Sequence, residues 1–163
     1  MKKVTVLLVV FVISSLSFTA EAQTIAKNAL GLRLGDSDGF GTEISYQRGL
    51  GDNNRLEVDF GWRNNDAFDA YRLTGLYQWV WNLDGGFNWY VGAGGGVAQV
   101  DFDDDFDFDD DTETYIYAAG DIGIEYDFDI PLLLSLDFRP EFGFGDYNDD
   151  VDFDIALGIR YQF

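Results

Sequence analysis

The sequence predicts an all-β fold, an eight-stranded antiparallel up-and-down barrel, and three observations carry that prediction. Apolar residues recur at every second position in eight separate runs, the period of a strand with two unlike faces. The 163 residues include 15 Phe, 9 Tyr and 4 Trp with 19 Gly, yet the mean hydropathy is only −0.11. Apolar side chains are therefore abundant but spread thinly, as strands spread them. Finally, the charged residues of the runs collect on one face, opposite the apolar one.

The amino terminus stands apart from this pattern. Met1-Lys2-Lys3 is a short basic region, an apolar stretch begins at Val4, and Ala20-Glu21-Ala22 places small residues at the −3 and −1 positions of a cleavage site. Residues 1–22 read as a secretory signal peptide cleaved before Gln23, which leaves one domain, 23–163, of 141 residues. The alternative, a single membrane anchor, requires about 20 apolar residues, and this stretch falls short.

The runs follow in order. The first sets Leu30, Leu32 and Leu34 against Gly31, Arg33 and Gly35, and Asp36-Ser37-Asp38-Gly39 turns the chain. The second sets Phe40, Thr42, Ile44 and Tyr46 against Gly41, Glu43, Ser45 and Gln47, with a turn over Gly49–Asn54. The third sets Leu56, Val58, Phe60 and Trp62 against Arg55, Glu57, Asp59 and Arg63, and a polar loop is expected over Asn64–Asp69. The fourth sets Tyr71, Leu73, Tyr77, Trp79 and Trp81 against Arg72, Thr74 and Gln78, with Leu76 and Val80 as exceptions. Asn82–Gly86 is a tight turn.

The fifth run places Phe87, Trp89, Val91, Ala93 and Val97 opposite Asn88, Tyr90, Gly92, Gly94 and Gly96. Those glycines leave room for a facing Arg or Tyr90, or let the strand bend. After the acidic segment Asp101–Glu113, the sixth sets Ile116, Ala118, Ile122, Ile124 and Tyr126 against Tyr117, Asp121, Gly123 and Glu125. Beyond Pro131, the seventh sets Leu132, Leu134, Leu136, Phe138, Phe142 and Phe144 against Ser135, Asp137, Arg139 and Glu141. The eighth sets Phe153, Ile155, Leu157, Ile159, Tyr161 and Phe163 against Asp154, Ala156, Gly158, Arg160 and Gln162. Closing such a meander into a barrel leaves no strand edge unpaired.

Which face points inward separates two barrels of opposite character. A soluble, lipocalin-like exported barrel turns Leu30, Leu134 and Leu157 inward; a transmembrane one turns them to lipid and keeps a polar lumen. Two features favour the transmembrane arrangement. The polar face carries Arg33, Arg55, Arg63, Arg72, Arg139 and Arg160 against Glu43, Glu57, Asp59, Asp121, Glu125, Asp137, Glu141 and Asp154, near balance in a chain of net charge −20. Confined charges have to pair, whereas solvent-facing ones do not. Large aromatics also gather at the strand ends, as in the girdles of membrane barrels. Tyr46, Trp79, Trp81, Phe87, Trp89, Tyr126, Tyr161 and Phe163 form one ring; Phe40, Phe60, Trp62, Tyr71, Phe142, Phe144 and Phe153 form the other.

With the ending Ile155-x-Leu157-x-Ile159-x-Tyr161-x-Phe163, the chain resembles the small eight-stranded outer-membrane barrels of the OmpA/OmpX type. The resemblance implies a Gram-negative outer membrane, periplasmic termini and Tyr161 and Phe163 as a signal for the barrel-assembly machinery. No peptidoglycan-binding domain is expected after the barrel. Asp36–Gly39, Asn64–Asp69, Asp101–Glu113 and Gly145–Asp152 then face outward, and Gly49–Asn54, Asn82–Gly86 and Asp127–Pro131 face the periplasm.

Composition narrows the chemistry. No Cys means no disulfide, thiolate metal site or thiol nucleophile, and no His removes the usual general base. The enzymes built on small outer-membrane barrels resemble one another in using a His, so their activities do not carry over, and no cofactor is expected. Asp121 and Glu125 share a strand face about 13 Å apart, too far to cooperate as an acid pair. With 30 acidic residues against 10 basic, nucleic acid is excluded as a partner. The nine carboxylates of Asp101–Glu113 make Asp103, Asp105, Asp107 and Asp109 candidates for Ca²⁺, although the turn-forming Gly of an EF-hand loop is missing. The plainer alternative is a solvated acidic rim. The expected function is a structural or surface-interaction barrel whose lumen is plugged by Arg–carboxylate pairs, since eight strands enclose only enough space for side chains. A narrow cation-preferring channel is the alternative.

Overall fold

Period-two alternation becomes a closed wall. The computed structural model of the protein describes residues 25–35, 41–65, 68–102, 112–144 and 151–163. Eight strands follow in order: β1 (Asn28–Leu34), β2 (Thr42–Gly49), β3 (Asn54–Asn65), β4 (Phe68–Asp84), β5 (Phe87–Phe102), β6 (Thr112–Asp127), β7 (Leu132–Phe144) and β8 (Val151–Gln162). Each pairs antiparallel with the next, and β8 closes on β1 from Ala29↔Gln162 to Leu34↔Leu157. The expected signal peptide lies outside the described residues, as does Phe40.

The apolar face is the outer one. Leu30 and Leu157 lie on the outer surface, Leu157 being 50% exposed, and Leu134 shares their side of the wall. The lipocalin-like arrangement is thus not the one adopted. Leu76 and Val80 keep the period after all: both point inward, buried beside polar neighbours. They break the pattern in chemistry only.

Aromatic rings mark two levels of the wall. At the end holding both chain termini, Trp81 stacks on Trp89 with centroids 4.7 Å apart, Phe87 meets Tyr126 at 4.6 Å, and Tyr161 stacks on Phe163. Toward the opposite end, Phe60 stacks on Trp62 and Phe138 on Phe153.

The wall is uneven in height. β1 and β2 have 7 and 8 residues, whereas β4, β5 and β6 have 17, 16 and 16. A spanning strand needs about 9–11 residues, so β4–β6 project beyond an apolar band at the end away from the termini. The ladder carries that projection: β3 and β4 pair out to Asn65↔Phe68, and β5 and β6 out to Asp101↔Thr112. The polar loop expected over Asn64–Asp69 is therefore mostly strand, joined by residues 66–67 alone. Its side chains are polar because this part of the hairpin extends past the apolar band, which removes the usual sequence mark of a strand.

One interruption lies inside the wall. The β6–β7 register runs from Ile116↔Phe144 to Ala119↔Glu141 and resumes at Ile122↔Phe138. Pro140 falls in the gap, and a proline has no N–H to give a ladder. Gly120 stands opposite, and the Pro140 ring leans over the space that a Gly120 side chain would fill.

Candidate functional site: the charged lumen

Inward-facing positions converge on one enclosed network of eight carboxylates and five guanidiniums, every one less than a tenth exposed. Nearest the end away from the termini, Arg33 on β1 reaches Asp137 on β7 and Asp154 on β8, each at 2.6 Å, and Glu43 on β2 at 2.8 Å. Arg72 on β4 holds the other Glu43 oxygen at 2.8 Å and Glu141 on β7 at 3.0 Å. Midway, Arg139 on β7 crosses to Asp59 at 2.6 Å and Glu57 at 3.2 Å, both on β3. Arg160 on β8 donates to Ser45 on β2, Ser135 on β7 and Glu57.

Nearest the termini, Arg55 on β3 pairs with Glu125 on β6 at 2.7 Å, donates Nε to Gln78, and lies over the Tyr90 ring. Some of these contacts tie neighbouring strands, but most of the ion pairs, such as Arg33–Asp137, Arg72–Glu141, Arg139–Asp59 and Arg55–Glu125, join strands that are not neighbours in the wall. Guanidiniums do this well because each offers a planar fork of donors to several carboxylates at once.

The β4–β6 side of the lumen is different: richer in neutral side chains and built around glycine. Thr74 on β4 and Tyr117 on β6 share a hydrogen bond of 2.5 Å across Gly96 on β5. Gln78 and Asp121 likewise hydrogen-bond across Gly92. Between these rows, Leu76 and Ala119 flank Gly94 and pack with Ala98 and Tyr117. Gly92 and Gly96 therefore make room for side chains of the flanking strands, whereas Gly94 lies against the β4 backbone at Gly75. Tyr90 finds its space over Gly123 instead.

Of the residues expected in the lumen, Arg33, Glu43, Arg55, Glu57, Asp59, Arg72, Asp121, Glu125, Asp137, Arg139, Glu141, Asp154 and Arg160 are buried there. Arg63 is not. It has the inward parity but sits one position beyond Trp62, where the projecting hairpin leaves its side chain exposed. Asp121 and Glu125 are separately engaged, by Gln78 and Arg55. Ser45, Gln47, Thr74, Gln78, Tyr117 and Ser135 complete the network; alternation places them on the polar face, but their neutrality hides the role. Asp103, Asp105, Asp107 and Asp109 lie outside the described residues, and no group of acidic residues among the described ones is placed to hold a metal ion.

No family model matches the chain, and no curated protein matches it in sequence. Solved structures do match in fold. The N-terminal β-barrel domain of Pseudomonas aeruginosa OprF aligns with a TM-score of 0.64 at 15% identity, covering 83% of this chain and 96% of that one. Neisserial surface protein A (NspA) gives 0.57 at 16% identity, covering 83% and 94%. Ail, the attachment invasion locus protein of Yersinia pestis, gives 0.55 at 14% identity, covering 83% and 96%. The fold is that of the small eight-stranded outer-membrane barrels. At such identities the likeness is one of fold, and the lumen chemistry has to be argued from this chain's own residues.

Proposed function

We propose that the protein is an integral outer-membrane barrel with a structural or surface-interaction role, its lumen closed by the Arg–carboxylate network. The observation that carries this reading is the inverted wall: an apolar outer surface banded by two levels of aromatics, around an interior of buried ion pairs. Such a surface is stable against lipid and not against water. The similar folds support the same placement.

Closure follows from size and charge together. Eight strands enclose a space that side chains fill, and Arg139, Arg72 and Arg55 each reach across it to a carboxylate on a non-neighbouring strand. Moving a hydrated ion through would separate those pairs while both partners stay buried, at several kcal/mol for each pair broken. Asp121 and Glu125 are held separately, by Gln78 and by Arg55, and the other lumen carboxylates are engaged by guanidiniums, which supports a non-enzymatic reading.

The charge of the chain is gathered at one end. Of the 30 acidic residues, 17 lie at or between the strand ends away from the termini, where Arg63 is the one basic residue. In the reading proposed, that end faces outward and presents a surface that repels anions and gathers cations, divalent ions included. The export signal at 1–22 delivers the chain, and the assembly machinery reads the Tyr161–Phe163 end.

The test is planar-bilayer conductance of the refolded chain Gln23–Phe163, alongside gel migration of boiled and unboiled samples to establish folding. Heat-modifiable migration with no conductance is expected. Reproducible cation-selective steps would replace the plug with a narrow channel, which the excess of eight carboxylates over five guanidiniums would then explain.

A further inference from the structure

The apolar band on the outer face is not the same height all round the barrel. A strand rises about 3.3 Å per residue and a barrel strand leans about 40° from the axis, so each residue climbs about 2.5 Å. On β7 the apolar outer positions run from Leu132 to Phe144, about 30 Å, and on β6 from Ile116 to Tyr126, about 25 Å, the height usual for an outer-membrane barrel. On β1 they run only from Leu30 to Leu34, about 10 Å. On β2 they are Ile44 and Tyr46 alone, set between exposed Thr42 and exposed Arg48.

The missing height is at the end away from the termini. At the other end the β1–β2 hairpin is level with its neighbours. Asn28 Nδ2 donates to the Phe163 carbonyl at 3.2 Å, and Asn28 Oδ1 accepts from the Tyr46 hydroxyl at 2.9 Å and from Arg48 at 2.7 Å. Phe163 stacks on Tyr161, so this polar cluster lies at the aromatic level near the termini. At the far end both flanking strands overtop the hairpin. The β1–β8 ladder stops at Leu34↔Leu157 while β8 continues to Val151, and the β2–β3 ladder stops at Glu43↔Gly61 while β3 continues to Asn65. Gly35 N–H donates to the Gly41 carbonyl at 2.6 Å and Gly41 has a φ of 76°, so the two arms are already closing there. Residues 36–40, which join the arms, have length for at most about 5 Å of further wall.

We infer that the protein thins the outer leaflet on one side. Against β1 and β2 the hydrocarbon ends near Leu34 and Thr42, whereas against β6, β7 and β8 it reaches Ile116, Phe144 and Val151. A flat boundary would either draw Thr42 and the closing hairpin into hydrocarbon or leave Phe144 and Val151 in water. Tilting the barrel does not level the band, because lowering Phe144 to the height of Thr42 would push Tyr126 and Tyr161 out through the opposite interface. The wall is fixed by its ladders, whereas a bilayer adjusts its thickness at modest cost, so the lipid gives way. The inference rests on the membrane placement proposed above and names the lipid contact of that same surface.

The chain has no Cys, so single cysteines can carry nitroxide labels at chosen heights. Thr42→Cys, Phe144→Cys and Leu136→Cys are each labelled, refolded into palmitoyl-oleoyl phosphatidylcholine vesicles and shown to be folded by gel migration. The quantity read is the ratio of collisions with oxygen, which concentrates in hydrocarbon, to collisions with a water-soluble nickel chelate. Leu136 pairs with Leu157 midway between the two aromatic levels, and its label is expected to give the highest ratio. Phe144 stands farther from mid-height than Thr42, because Val151, which overtops β1, pairs with Phe142 one step below Phe144. A flat boundary therefore gives the higher ratio at Thr42, whereas the expected result is the higher ratio at Phe144. Equal ratios at these two positions, or the order of the flat boundary, would overturn the thinning and leave the barrel in the membrane. A chelate-dominated ratio at Leu136 would refute the membrane placement itself.

Discussion

Arg139 on β7 and Asp59 on β3 meet inside the barrel at 2.6 Å, both wholly shielded from solvent, although 80 residues of chain separate them. The pair ties opposite parts of the wall through the lumen and not through the sheet. A buried pair of this kind is costly to break and cheap to replace as a whole, because removing one partner strands the other's charge. Arg139→Leu is therefore expected to lower the stability of the refolded barrel by about 3–5 kcal/mol. Arg139→Leu combined with Asp59→Leu, which leaves Glu57 paired with Arg160, is expected to recover a substantial part of that loss. Urea unfolding in lipid vesicles, followed by gel migration, checks both; a double variant no better than the single one would show that the ions do more than neutralise one another.

The hydrogen bond between Thr74 and Tyr117 makes a second prediction. Thr74 is fully buried, so Tyr117→Phe leaves its hydroxyl facing a ring and is expected to cost about 1–3 kcal/mol. Adding Thr74→Val removes the stranded hydroxyl and is expected to return most of the loss, since an apolar pair of similar shape needs no partner. The same unfolding experiment on the four chains gives the coupling directly.

Gly96 owes its identity to that bond. A Cβ at Gly96 would meet the Tyr117 hydroxyl and the Leu73 carbonyl at once, and the carbonyl belongs to the wall and cannot move aside. Gly75 faces outward one residue beyond Thr74, and a Cβ there would meet nothing within 4 Å. Gly96→Ala is thus expected to destabilise by about 1–3 kcal/mol, and Gly75→Ala to stay within about 0.5 kcal/mol. A comparison of their unfolding midpoints in urea separates crowding from any general need for glycine in these strands.

The fold was legible because the outer and lumen faces of the wall are so unlike that each strand alternates in almost pure form. Leu30, Leu32 and Leu34 against Arg33, or Ile155, Leu157 and Ile159 against Arg160, leave little room for another reading. Three things were harder to read, each for a physical reason. Beyond the apolar band the outer face loses its apolar requirement, which is why the strand residues of Asn64–Asp69 read as loop and why exposed Arg63 read as lumen. Partnership across the lumen depends on strand tilt and side-chain reach, and alternation specifies neither; it could name Arg55 and Glu125 but not join them. The role of the β5 glycines also depends on neighbours in three dimensions, so the space expected for Arg or Tyr90 belongs instead to Tyr117 and to the Gln78–Asp121 pair. Pro140 went unread, although a proline within a run of strand character is the signal that would have found the break in the β6–β7 ladder.

Leu157 tests the membrane placement itself. It lies on the outer face of β8 midway between Phe153 and Tyr161, residues of the two aromatic levels, and pairs with Leu136 of β7. In water, Leu157→Arg would put a charge on an exposed site and leave stability within about 0.5 kcal/mol or improve it. At the centre of a bilayer the same change costs about 2–4 kcal/mol, and the cost falls toward the interfaces. Refolding into vesicles is therefore expected to show a loss of that size for Leu157→Arg and a much smaller one for Tyr161→Arg. The dependence on depth is the informative part. A soluble barrel gives no reason for the two positions to differ, whereas a lipid-facing wall requires the central one to be the costlier.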